Sequence, residues 1–174
     1  MQDQDKKNYN TPCMRWGLMA GVLWSISFIL CMSPSMSIFS PLIGIYSVWY
    51  VGKQLREYRY CNPDISAMRI WVMSFYTFVY STLITIAVQY IYLRWGDGGM
   101  LASQMQQVIN TPEYQKMIFN GNEANKTEIE SQLMELVSSA KNMTIMLLWY
   151  NLFLSLILSL PTTLIAILGK ENKQ

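Results

Sequence analysis

Three stretches of this chain carry no charged residue at all: 16 to 52, 70 to 93 and 142 to 169. An uncharged apolar run of about 18 residues or more is the pattern of a helix solvated by lipid. In hydrocarbon every backbone N–H and C=O has to be satisfied inside the segment, so such runs fold as helices. Charged residues make up only 14% of the chain, against roughly 25% in a typical soluble domain. The few charges are therefore segregated, and where they fall becomes the second constraint.

The first run is too long for one crossing, and Ser33-Pro34-Ser35 sits near its middle. Proline after serine ends a helix and starts a turn. The expectation is four transmembrane spans, at about 16–32, 37–51, 70–93 and 147–168, the last with a kink at Pro161. The first two are short, about 24 Å each. Arg15, Lys53 and Arg56 flank them and reach the headgroups by snorkelling. A re-entrant hairpin in their place returns the chain to the same side. Cys31-Met32-Ser33-Pro34 is not a small-x-small cleavage site, so the first run reads as a retained anchor.

Cations gather on one side of this layout. Lys6, Lys7, Arg15, Lys53, Arg56, Arg59, Arg69, Lys170 and Lys173 share it, while Arg94, Lys116, Lys126 and Lys141 lie opposite. Cytoplasmic loops carry the excess of Lys and Arg. The fold class expected is an all-α integral membrane protein with both termini cytoplasmic. It forms one membrane domain over 1–174, with a short helical extracytoplasmic segment at 95–142. In that segment Thr111-Pro112-Glu113 reads as a helix start and Asn120-Gly121-Asn122 as a turn. Thr127 with Glu130 reads as a capping box, ahead of an apolar stripe of Ile129, Leu133, Leu136, Val137 and Ala140. Trp16, Trp49, Tyr50 and Trp71 fall at the inner interface, and Tyr90, Tyr92, Trp95, Trp149 and Tyr150 at the outer one.

Small and polar residues recur at helical spacing. Gly17, Gly21 and Ser25 repeat in the first span. Ser74, Thr77, Ser81, Thr85 and Gln89 repeat in the third, and Asn151, Ser155, Ser159 and Thr163 in the last. Steps of three or four keep side chains on one helix face. Small residues let helix backbones approach, and hydroxyls and amides bond across the seam. These are the expected helix-packing residues.

What is missing narrows the function. No ionisable residue lies within a span, which argues against proton-coupled transport. The chain has no histidine, the commonest general base. It shows no Gly-rich phosphate loop, no nucleophile motif and no metal-spaced cluster. Cys13, Cys31 and Cys61 are odd in number and far apart, which is no disulfide framework. The reading is not an enzyme, with no catalytic, cofactor-binding or metal residue, and no nucleic-acid partner. The island from Gly52 to Arg69 is first a topology determinant. Its sharper reading is contact with anionic lipid through Lys53, Arg56, Arg59 and Arg69.

The order of features resembles a known family. A short basic start leads into Arg15-Trp16-Gly17 and Gly21, and a second helix ends in Gly52-Lys53 and Tyr58-Arg59. Ile65-Ser66 leads the third, and a polar insert, a last helix and a Lys-rich tail follow. This looks like the bacterial four-helix membrane proteins of the domain of unknown function family 4199. The resemblance implies an inner-membrane location and no catalytic residues. It also implies genes that lie beside that of a membrane-associated, polyprenyl-phosphate-type glycosyltransferase. The function expected is a non-enzymatic accessory or scaffold subunit for an enzyme of lipid-linked sugar or envelope metabolism. The partners expected are the lipid bilayer, that glycosyltransferase and a second copy of the chain. The alternative is a lipid-handling or flippase-type component that binds lipid phosphate at the cytoplasmic face.

Overall fold

The computed structural model describes residues 10–33, 35–112, 131, 132, 134, 135 and 139–168. Among these there is no strand. The helices are α1 (Asn10–Met32), α2 (Phe39–Cys61), α3 (Ala67–Ile91), α4 (Met100–Ile109) and α5 (Ala140–Leu168), with a π-helical turn at Tyr92–Gly96. Residues 131, 132, 134 and 135 are also helical. Most of the expected 111–137 features, including the capping box and its stripe, lie outside the described residues. The chain divides into two compact units, Met1–Ala87 with Trp149–Gln174, and Val88–Leu148.

Among the described residues three helices are long and apolar enough to cross a membrane: Thr11–Met32, Ala67–Gly96 and Ala140–Leu168. This corrects the expectation of four spans. The second expected span, 37–51, is the first half of α2, and α2 does not stop where its apolar run stops. Lys53-Gln54-Leu55-Arg56-Glu57 are strong helix formers, so the helix continues through them to Cys61. Its charged second half removes it from the apolar class. The other helices also outrun their apolar cores. Pro12 and Pro41 sit in the first turns of α1 and α2, where a missing N–H costs nothing. α5 runs unbroken across Pro161.

The ends are set locally. Asn62 closes α2 by donating from its side-chain amide to Tyr58 O at 2.9 Å. Ser66 opens α3, its Oγ accepting from Arg69 N at 3.3 Å. Asp97 caps α4 by accepting from Gly99 N and Leu101 N, each at 3.1 Å. The turn before α4 needs Gly98 and Gly99, whose φ angles of 55° and 83° are left-handed.

In the larger unit the contacts between side chains and backbones fix helix directions. Trp24 meets Ser47, and Ser27 meets Ser40, so α1 and α2 run antiparallel. Gly17 faces Thr77 and Ser81 while Gly21 faces Ser81 and Ile84, so α1 and α3 run parallel. Gly52 faces Thr162 and Ile165, and Arg59 bonds Ile167, so α2 and α5 run parallel. The interior is as polar as it is apolar. Thr82, Ser155, Ser159 and Thr162 are fully buried, while Leu18, Ile45, Phe153 and Leu164 are exposed. A water-soluble domain sorts these residues the other way.

Candidate functional site

The stripe on α1 meets the stripe on α3 at backbone distance. A Cβ on Gly17 would lie 2.6 Å from Tyr80 Cβ and 2.7 Å from Thr77 O. One on Gly21 would lie 2.9 Å from Ile84 Cβ and 3.0 Å from Ser81 O. Glycine removes that obstacle and lets the α1 backbone rest on α3 carbonyls. Thr85 Oγ1 donates to Gly21 O at 3.3 Å and to its own helix at Ser81 O. Ser25, Ser74, Thr77, Ser81 and Gln89 are all buried. Ser25 turns back on Gly21 O and Thr77 on Met73 O. The Ser74 and Ser81 hydroxyls have no protein partner among the described residues.

The α5 stripe of Asn151, Ser155, Ser159 and Thr163 is buried as well. One bond crosses a seam here, between Thr82 Oγ1 and Ser155 Oγ at 3.1 Å. Most hydroxyls bond within α5: Ser155 to Asn151 O, Thr162 to Leu158 O and Thr163 to Ser159 O. Back-bonding of this kind satisfies a hydroxyl without a partner helix.

Three packing features have no counterpart in the sequence stripes. Gly52 lies against Ile165, whose Cγ2 is 2.7 Å from where a Cβ would be. Its signal was a glycine inside a helix, hidden because the apolar run ended there. Trp24 donates from its indole to buried Ser47 at 2.8 Å and stacks on Phe78 at 5.5 Å. Trp16, expected at the inner interface, is turned inward. It is 9% exposed and packs edge-on against Tyr58 at 5.9 Å. The charged half of α2 shields it, because that half continues as helix beside it.

The cationic island splits into different roles. Arg56 donates from Nε and Nη2 to Ile165 O at 3.2 and 2.9 Å. Arg59 donates from Nη1 to Ile167 O at 3.0 Å. Those carbonyls lie near the end of α5 as described, on the side that faces α2. Lys53 lies 3.9 Å from Glu57 and 5.8 Å from the Trp49 ring centre. Arg69 is exposed near the start of α3. So the fold brings Arg56 and Arg59 together, and it turns Lys53 toward Trp49 and Glu57. Among the described residues no cluster of metal-ligating side chains forms.

Apolar helices of spanning length around a polar interior mark a helical protein of membrane type. The chain belongs to the family described as "Protein of unknown function (DUF4199)", matched over residues 15–166. No curated protein and no solved structure matches it.

Proposed function

We propose that this chain is a non-enzymatic integral membrane subunit. It would scaffold a membrane enzyme of lipid-linked sugar or envelope metabolism, with the glycosyltransferase partner that the family resemblance suggested. One observation carries the reading: the polar stripes turn inward and the apolar residues outward, as in Ser155 and Thr162 against Phe153 and Leu164. With its seams used internally, the unit meets partners through its apolar outer faces. The cation excess makes both termini cytoplasmic, in a bacterial inner membrane. The test is crosslinking in native membranes with a tagged bait, followed by mass spectrometry. A reproducibly enriched membrane glycosyltransferase is the expected result. Recovery of the bait alone, or only of its own dimer, rejects the reading.

A second reading is favoured by the two guanidinium groups at the end of α5. It is a lipid-handling component that meets lipid phosphate at the cytoplasmic face. Reconstituted vesicles that move fluorescent phospholipid no faster than empty ones reject it.

A further inference from the structure

Arg56 and Arg59 lie one turn apart on α2 and bond the last carbonyls of α5. Carbonyls accept the hydrogen bonds but do not cancel the charge. Two neutral carbonyls face two whole guanidinium charges. The neighbouring acid, Glu57, is turned to Lys53 instead. Both arginines are half-buried, and among the described residues no carboxylate pairs with them; an uncompensated charge is costly there. Beside them, α5 presents an apolar strip. Ile157, Leu164 and Leu168 are 46%, 55% and 73% exposed, and Pro161 is exposed between them. Positions 157, 161, 164 and 168 share one helix face by their spacing, on the flank next to Ile165. A cationic head above an apolar strip is complementary to one kind of molecule, an anionic phospholipid.

We propose that Arg56 and Arg59 hold the phosphate of an anionic phospholipid whose acyl chain lies along Ile157, Pro161, Leu164 and Leu168. The proposal rests on the second reading above and names its site. The backbone bonds to Ile165 and Ile167 hold both guanidinium groups in place before lipid arrives, so little side-chain entropy is lost on binding.

The test uses the full chain in nanodiscs with equal phosphatidylglycerol and phosphatidylcholine, and counts retained lipid by native mass spectrometry. Two cations near an anionic surface are expected to favour phosphatidylglycerol by about thirtyfold. The Arg56→Gln/Arg59→Gln variant should lose that preference. The Arg56→Lys/Arg59→Lys variant should keep most of it, because the charge is retained while the forked bonds to α5 are not. If the double glutamine variant does not fold, Arg59→Gln alone decides: it should lose part of the preference, and an unchanged preference overturns the proposal. A wild type with no preference overturns the proposal, as does a preference unchanged in the glutamine variant. So does a preference that emerges only in Glu171→Gln, since the tail would then be the counter-charge. Lipid movement is scored separately in vesicles. Preference without movement keeps the site and removes the lipid-handling role. Movement without preference removes the site.

Discussion

At Gly17 a single methyl group decides whether two helices touch. A Cβ there would sit 2.7 Å from a backbone carbonyl of α3, which cannot rotate away. At Gly44 a Cβ meets nothing within 4 Å. The two glycines should therefore answer the same substitution with opposite sign. Gly17→Ala is expected to destabilise the unit by about 1–3 kcal/mol through overpacking. Gly44→Ala is expected to stabilise it by roughly 0.5–1 kcal/mol through helix propensity. Unfolding in mixed detergent, followed by circular dichroism, measures both. Equal shifts for the two variants would remove the close seam between α1 and α3. The four-residue spacing of Gly17, Gly21 and Ser25 was legible because periodicity is a local property of the chain. The Trp24–Ser47 bond was not, since it joins residues 23 apart and neither has a spacing that announces the other.

Among the helices, α2 is where sequence and structure part. Its apolar half suggested a span that stops near residue 51, because the reading took the end of the hydrophobic run for the end of the helix. Those limits answer to different physics. Lipid sets the first through desolvation of charge, while backbone propensity and Asn62-Pro63 set the second. The structure lets α2 keep both by giving its cationic groups acceptors: Lys53 has the Glu57 carboxylate, and Arg56 and Arg59 have neutral backbone carbonyls of α5. The register of α2 on α1 can be trapped covalently. Ser27 Oγ and Ser40 Oγ are 3.0 Å apart. In a chain freed of Cys13, Cys31 and Cys61, the Ser27→Cys/Ser40→Cys pair should close to a disulfide under mild oxidation. Ser27→Cys with Ser47→Cys should not, because Ser47 sits opposite Trp24, about one helical turn away. Mass shift after alkylation distinguishes the two, and a disulfide in the second pair alone would mean a slipped register.

For the whole chain, composition announced lipid as the solvent, and the interior explains why that reading is sound. Buried hydroxyls such as Thr82 and Ser155 pair with each other, and large side chains such as Phe153 are left outside. Only an apolar surrounding makes that arrangement the stable one. The sidedness proposed from the cations is a separate matter, since it depends on loops and not on packing. Exposed Cys61 closes α2, and exposed Ser103 lies on α4, with α3 between them in sequence. If α3 crosses, these two positions lie on opposite sides of the membrane. With Cys13 and Cys31 replaced by alanine, a membrane-impermeant maleimide should label Cys61 only in inverted vesicles. With Cys61 also replaced, a Ser103→Cys variant should be labelled in intact cells. The reverse pattern keeps the crossing and inverts the orientation, so that the positive island would face outward. Labelling of both from one side would remove the crossing itself, and the apolar length of α3 would then have to be buried against another protein.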